Sequence, residues 1–186
     1  MKTFGSTIIL ALFLSLFSNY TKAQTGTQAE KLMNALKLKD LKNALILVQD
    51  IDSVNYTDKD NNSLLMSASL LGDTDVVNVL LKKGAKLDLQ AKNGVTALMV
   101  ASHEGHTEVV KILLEKGAKL NLQANNGGTA LMKASQEKHI EVVKLLLENG
   151  ADSKLKSKKD KTAYDYASDY GKNKEIRSLL LKYMKK

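Results

Sequence analysis

The sequence predicts an all-α solenoid of stacked helical units, and three observations predict it. The segment Gly105–Ala118 (GHTEVVKILLEKGA) returns 33 residues later as Lys138–Ala151 (KHIEVVKLLLENGA), and it stands 33 residues earlier as Gly72–Ala85 (GDTDVVNVLLKKGA). Ser63, Thr96, Thr129 and Thr162 keep the same spacing, each just before an apolar run. A side-chain oxygen there satisfies an orphan N–H at a helix start. Gly84, Gly117 and Gly150 follow the second apolar run of each unit, where a left-handed C-cap needs no Cβ. A fixed period in this range marks a stack of units that bury their apolar faces on one another.

Each unit opens with a short motif: Ser63-Leu64-Leu65-Met66, Thr96-Ala97-Leu98-Met99, Thr129-Ala130-Leu131-Met132, then Thr162-Ala163-Tyr164-Asp165. With the 33-residue spacing and the Gly-His-x-Glu-Val-Val-Lys-x-Leu-Leu segment, the chain resembles the ankyrin repeat from about Gln28 to its C-terminus. The resemblance implies an all-α ankyrin-repeat solenoid of helix-turn-helix units, each followed by a β-turn finger. Ala35, Ala68, Ala101, Ala134 and Ala167 recur where neighbouring helices must approach closely, and Asn93-Gly94 and Asn126-Gly127 are turn dipeptides for the finger tips. The reading divides the chain into a signal peptide (1–23), a short linker (24–27), an N-terminal capping unit (28–57), three full repeats (58–90, 91–123, 124–156) and a C-terminal capping unit (157–186).

The departures from the family pattern carry expectations. Without proline, the first helical position is Leu64, Ala97, Ala130 or Ala163, a small loss offset by helix propensity. Met66, Met99 and Met132 stand where the family usually has His, which predicts repacking rather than misfolding. Lys138 occupies a turn position held by Gly72, Gly105 and Gly171; if that position needs positive φ, Lys138 carries about 1–2 kcal/mol of strain. The last unit carries one extra residue before its second helix, in Gly171–Ile176. The N-terminal unit places Leu32, Ala35, Leu41, Leu45, Leu47 and Val48 in register with the core but lacks the capping Thr and the glycines. Both ends are expected to be polar on the outside, where no neighbour covers them.

Residues 1–23 read as a cleaved secretory signal. Lys2 gives a basic start, Ile8–Phe17 an apolar run, and Thr21-Lys22-Ala23 small residues before a cut at Gln24. The run of about ten residues is too short to span a bilayer, which takes about twenty. This predicts an exported protein, periplasmic or secreted, and 27 Lys to one Arg leans towards a bacterial source. There is no cysteine, so no disulfide and no lipidated cysteine. From Gln24 to Ala151 the chain has 15 Lys and 15 Asp plus Glu; from Asp152 onward it has 11 Lys plus Arg and 5 Asp plus Glu. The basic run Lys154, Lys156, Lys158, Lys159 and Lys161 can bind an acidic protein, a polyanion or an anionic membrane surface, or can simply keep the array soluble. No aromatic residue is interleaved with it and arginine is nearly absent, which disfavours specific nucleic-acid readout.

The inventory of chemistry is thin. There is no Cys nucleophile, no Gly-x-Ser-x-Gly elbow and no phosphate-binding loop, so no enzyme and no cofactor are expected. His103 and His106 are separated by a turn and show no third ligand, and His106 and His139 fill one repeat position with a structural role. Asp58-x-Asp60-x-Asn62 begins like a calcium loop, but Ser63 and Ser69 stand where glycine and glutamate are needed.

The expected partner is another protein, bound by a monomer in the concave groove. Carried over by register, the candidate contacts are Lys59, Asp60, Asn62, Leu70 and Leu71 in the first repeat, and Lys92, Asn93, Val95, His103 and Glu104 in the second. The third offers Asn125, Asn126, Gly128, Gln136 and Glu137, and the C-terminal unit Lys158, Lys159, Lys161, Asp169 and Tyr170. Leu70 and Leu71 are apolar where their sisters are His103-Glu104 and Gln136-Glu137. Two readings stand: an exposed contact patch, or a pair covered by Leu36 and Leu38 of the N-terminal unit.

Overall fold

The computed structural model describes residues 27–169, without the side chain of Asp169, and residues 173–184. Residues 1–26, where the signal peptide and most of the linker are expected, residues 170–172, where the extra residue is expected, and the final two lysines lie outside the described residues.

Thr27 opens the fold. Its hydroxyl accepts from Glu30 N while the Glu30 carboxylate accepts from Thr27 N, a reciprocal cap on α1 (Gln28–Lys37). The N-terminal unit therefore has its capping threonine, one residue before the expected start of the unit. Asp40 caps α2 (Leu41–Leu47), which runs into a 3₁₀ turn at Val48–Asp50. Three regular pairs follow: α3 (Leu64–Leu71) with α4 (Thr74–Lys82), α5 (Ala97–Glu104) with α6 (Thr107–Glu115), and α7 (Ala130–Glu137) with α8 (Ile140–Glu148). The last pair is α9 (Ala163–Asp169) and α10 (Lys174–Met184). Ser63, Thr96 and Thr129 each accept from the backbone N–H three residues on, as their spacing requires.

The first helices stack in one layer, α1 on α3 on α5 on α7 on α9, and the second helices form the other. Ala68, Ala101, Ala134 and Ala167 are buried in the first layer, where a larger side chain would force the helices apart. Leu80, Leu113 and Leu146 repeat in the second layer; a fully buried leucine is worth about 1.5–3 kcal/mol. Met66, Met99 and Met132 are buried, and the Met66 sulfur accepts from Ser63 N at 3.4 Å. Gly84, Gly117 and Gly150 have φ of 87°, 88° and 90°, the left-handed conformation expected of them.

The turn between paired helices is also left-handed, at Lys39 (φ 57°), Gly72 (71°), Gly105 (79°) and Lys138 (65°). The strain expected at Lys138 is present, and Lys39 shares it. The choice between Gly and Lys follows the next repeat. A Cβ on Gly72 would lie 2.6 Å from His106 Nδ1, and one on Gly105 would lie 2.5 Å from His139 Nδ1. Each imidazole is held there by its Nε2–H, which donates to Leu70 O (3.0 Å) or His103 O (2.8 Å). One period after Lys39 the His position is Asp73, which caps α4 instead, so the lysine meets no ring.

The N-terminal end departs from expectation. Leu32, Ala35 and Val48 are buried as expected, but Leu41 and Leu45 are exposed and Leu47 is half-buried, so this outer face is not polar. Leu47 lacks a preceding pair to cover it among the described residues, whereas the Leu45 position faces solvent in every repeat, at Asn78, Lys111 and Lys144.

Candidate functional site: the concave groove

The fingers between helix pairs are tied by backbone bonds one period apart. Lys92 N donates to Asp60 O, Asn125 N to Asn93 O and Lys158 N to Asn126 O, each at 2.9 Å. Gln90 and Gln123 reinforce the ladder: Gln123 Nε2 donates to Gly127 O (2.7 Å) and Lys156 O (2.9 Å). With their backbone groups engaged along the stack, the finger tips are left to present side chains. Lys59, Asp60, Lys92, Asn93, Asn125, Asn126, Lys158 and Lys159 are all exposed, whereas Gly128 is buried and drops from the candidate contacts.

Along the groove the chemistry changes in order. At its N-terminal end Leu70 is 50% exposed and Leu71 half-buried. Leu36 turns into the core and Leu38 into solvent, so Leu70 stays available. Beside it Lys92 Nζ and Asp60 Oδ1 approach at 3.7 Å. In the middle His103 lies between two carboxylates, Nε2 3.9 Å from Glu104 and Nδ1 3.7 Å from Glu137, and Gln136 Nε2 donates to Glu137 Oε1 at 3.0 Å. At the C-terminal end the groove deepens into a cleft of about 600 Å³ lined by Asn125, Asn126, Gln136, Lys158, Lys159 and Tyr166. The structure thus brings five of the register-derived residues to one place from two fingers and α7.

Tyr166 on α9 is the lining residue that the register missed. It is half-buried and its hydroxyl donates to Ser157 Oγ at 3.2 Å, which fixes the ring beside the last finger. One period earlier the position is Lys133, then Val100 and Ser67. An aromatic at a place that varies so freely was the available signal. It lies one helical turn before Asp169, whose side chain is outside the described residues, as is Tyr170. Asn62, Val95 and Lys161 are half-buried at the finger bases and do not line the cleft.

The electrostatics of the fingers differ from end to end. Burial alone would raise the Asp58 carboxyl, but the Lys37 ammonium at 2.7 Å and N–H donors from Asn62 and Asp60 hold it well below the usual carboxylate range. The Asp58-x-Asp60-x-Asn62 segment is thus a closed turn that ties α1 to the first finger. In the last finger Lys156 pairs with Asp160 at 2.9 Å, while Lys154, Lys158 and Lys159 are exposed with no ion pair among the described residues. Hydrogen bonds from the Thr162 hydroxyl and backbone, with Lys161 and Lys156 nearby, lower the Asp165 carboxyl against its partial burial.

No group of three or more His, Cys, Asp or Glu side chains is placed to hold a metal among the described residues. No helix among them is long and apolar enough to cross a membrane. A family model described as ankyrin repeats (3 copies) matches residues 32–124 and again 117–186. No curated protein matches the chain.

Proposed function

We propose, because the chain belongs to the ankyrin-repeat family, whose repeats generally mediate protein–protein interaction, that it is an exported, non-catalytic module that grips another protein in its concave groove. Members of the family are typically non-catalytic. The observation that carries the groove is the cleft at its C-terminal end, where amides, two lysines and a fixed aromatic ring converge. Buried aromatic anchors ringed by polar groups are where binding energy concentrates. The leader supports export through its charge, apolar run and small-residue order.

The test is crosslinking and recovery of the partner from the native compartment, followed by titration with variants. Tyr166→Ala should weaken binding about tenfold or more, a loss of roughly 1.4 kcal/mol or above, without changing the circular dichroism. Unchanged binding by Tyr166→Ala together with Lys158→Glu would remove the cleft from the reading. N-terminal sequencing of the exported protein should begin at Gln24; a soluble exported form that retains Met1 would remove the cleaved leader.

Lys154, Lys158 and Lys159, exposed and without an ion pair among the described residues, favour a second reading, a module for polyanions or the cell envelope. The two separate by salt. Polyanion binding falls steeply with ionic strength, whereas binding anchored by Tyr166 and Leu70 holds.

A further inference from the structure

The N-terminal end of the stack leaves apolar side chains exposed. Leu38 is 80% and Ile46 61% exposed, with Leu41 and Leu45 at 41% and 39%. Leu38 and Ile46 line a recess of about 640 Å³ together with Lys31, Asn34, Asp40 and Leu47. Ile46 has a structural counterpart in each later repeat: Val79, Ile112 and Leu145 lie one, two and three periods on and pack against the core. Leu45 has none. Its counterparts Asn78, Lys111 and Lys144 stay exposed with a neighbour on either side, so Leu45 lies on the flank of the stack and the end face rests on Leu38 and Ile46. An apolar patch of this kind marks a contact surface.

We infer that two copies of the chain join through this face, N-terminal end to N-terminal end. The wall is the outer side of one helix pair, and every internal interface of the stack is helix pair against helix pair. A second copy supplies such a wall with the same apolar residues. Charge selects the orientation. Residues 28–57 hold four Lys and four Asp plus Glu, so the two faces do not repel, while in the chain from Gln24 onward the whole surplus of positive charge lies from Asp152 at the opposite end. Joined at their N-terminal ends, two copies keep their basic units far apart; joined head to tail, each would set its leucines against a cationic unit. The rim fits the same symmetry. Neither Lys31 nor Asp40 forms an ion pair among the described residues. In a twofold contact residue i meets j and j meets i, so each copy's Lys31 can face the other's Asp40.

Sedimentation velocity over a dilution series tests this on the chain beginning at Gln24, which retains every described element. The expected result is a concentration-dependent dimer that becomes a monomer in both Leu38→Asp and Ile46→Lys. Both side chains are exposed, so circular dichroism should not change. The chain has no cysteine, so Ile46→Cys and Leu181→Cys each give a single site for a short bis-maleimide. Ile46→Cys should crosslink to itself and Leu181→Cys should not. A crosslink between the two variants would mean head-to-tail packing and would overturn the inference, as would a monomer at every concentration. A full-length chain that stays monomeric with Ile46→Cys unreactive would assign the face to the chain's own N-terminal residues, and overturn it too.

Discussion

The middle of the stack and its two ends are built from the same helix pair and solve the same problems differently. In the middle, Gly72 and Gly105 leave room for the imidazole of the next repeat, and that ring ties the two repeats together through a carbonyl. In the N-terminal unit and the last full repeat the same turn carries Lys39 and Lys138, and both accept a left-handed β-carbon. The core shows a parallel contrast. Ser69, Ser102 and Ser135 are fully buried and their hydroxyls have no hydrogen-bond partner, whereas Ser168, one period on in the last unit, donates to Tyr164 O at 2.9 Å. The ends also differ from each other. The C-terminal unit finishes in lysines, with Arg177 seated 4.8 Å from the centroid of the Tyr164 ring and donating to its hydroxyl, and the N-terminal unit finishes in leucines. A residue's role in a repeat protein is therefore set by what its neighbour one period away brings to it.

Substituting an interior turn breaks this contrast most strongly. Gly105→Ala combines left-handed strain with a clash against the bonded His139 ring, and should cost about 2–4 kcal/mol in urea unfolding. In a His139→Ala background only the strain of about 1–2 kcal/mol should remain. A cost that stays the same with and without His139 would show that the ring is not what requires glycine.

The link between the N-terminal unit and the first interior finger comes next. Asp58 is held below its unfolded-state value, so its contribution is fully present at neutral pH and is lost as pH falls through and below the ordinary carboxylate range of about 4. Asp58→Asn should cost about 1–2 kcal/mol at pH 7, because charge-assisted bonds become neutral ones and the exposed Lys37 contributes little. The difference between wild type and variant should shrink on acidification; a gap that widens would contradict the sign.

The serines sharpen the contrast within the core. Ser102→Ala removes an orphan hydroxyl and gains helix propensity, so it should stabilise the fold by about 0.5–1 kcal/mol. Ser168→Ala loses a bond and should not. Thermal unfolding of the pair distinguishes the two environments, and equal shifts would erase the distinction. The smallest effect is expected at the turn of the last full repeat. Lys138→Gly relieves strain but loosens the unfolded chain, for a net gain of about 0.5 kcal/mol, and a loss instead would point to an interaction of the lysine side chain.

Much of the fold could be read from the sequence because the repeat writes it three times. The capping Ser and Thr, the C-cap glycines and the buried alanines each depend on residues a few positions away, so the pattern locates them directly. The glycine–lysine choice was also legible once the correct pair was compared: Gly72 and Gly105 precede His106 and His139 by 34 residues, while Lys39 has Asp73 in that place. Register reached the groove only in part. It supplied Asn125, Asn126, Gln136, Lys158 and Lys159, but it followed the family's usual contact positions and so passed over Tyr166 one turn earlier.

By itself, then, the sequence determined the period, the helix ends and the layer that each apolar residue faces, because these follow from backbone hydrogen bonding and a 3.6-residue stripe within each unit. Only the tertiary structure decided which side chains share a cleft and which leucines lack a cover. Leu47 and Leu80 hold the same register position in second helices, yet Leu80 is buried and Leu47 is only half-buried. Burial at those places comes from the stacking of units one period apart, and at the end of a stack that neighbour is missing.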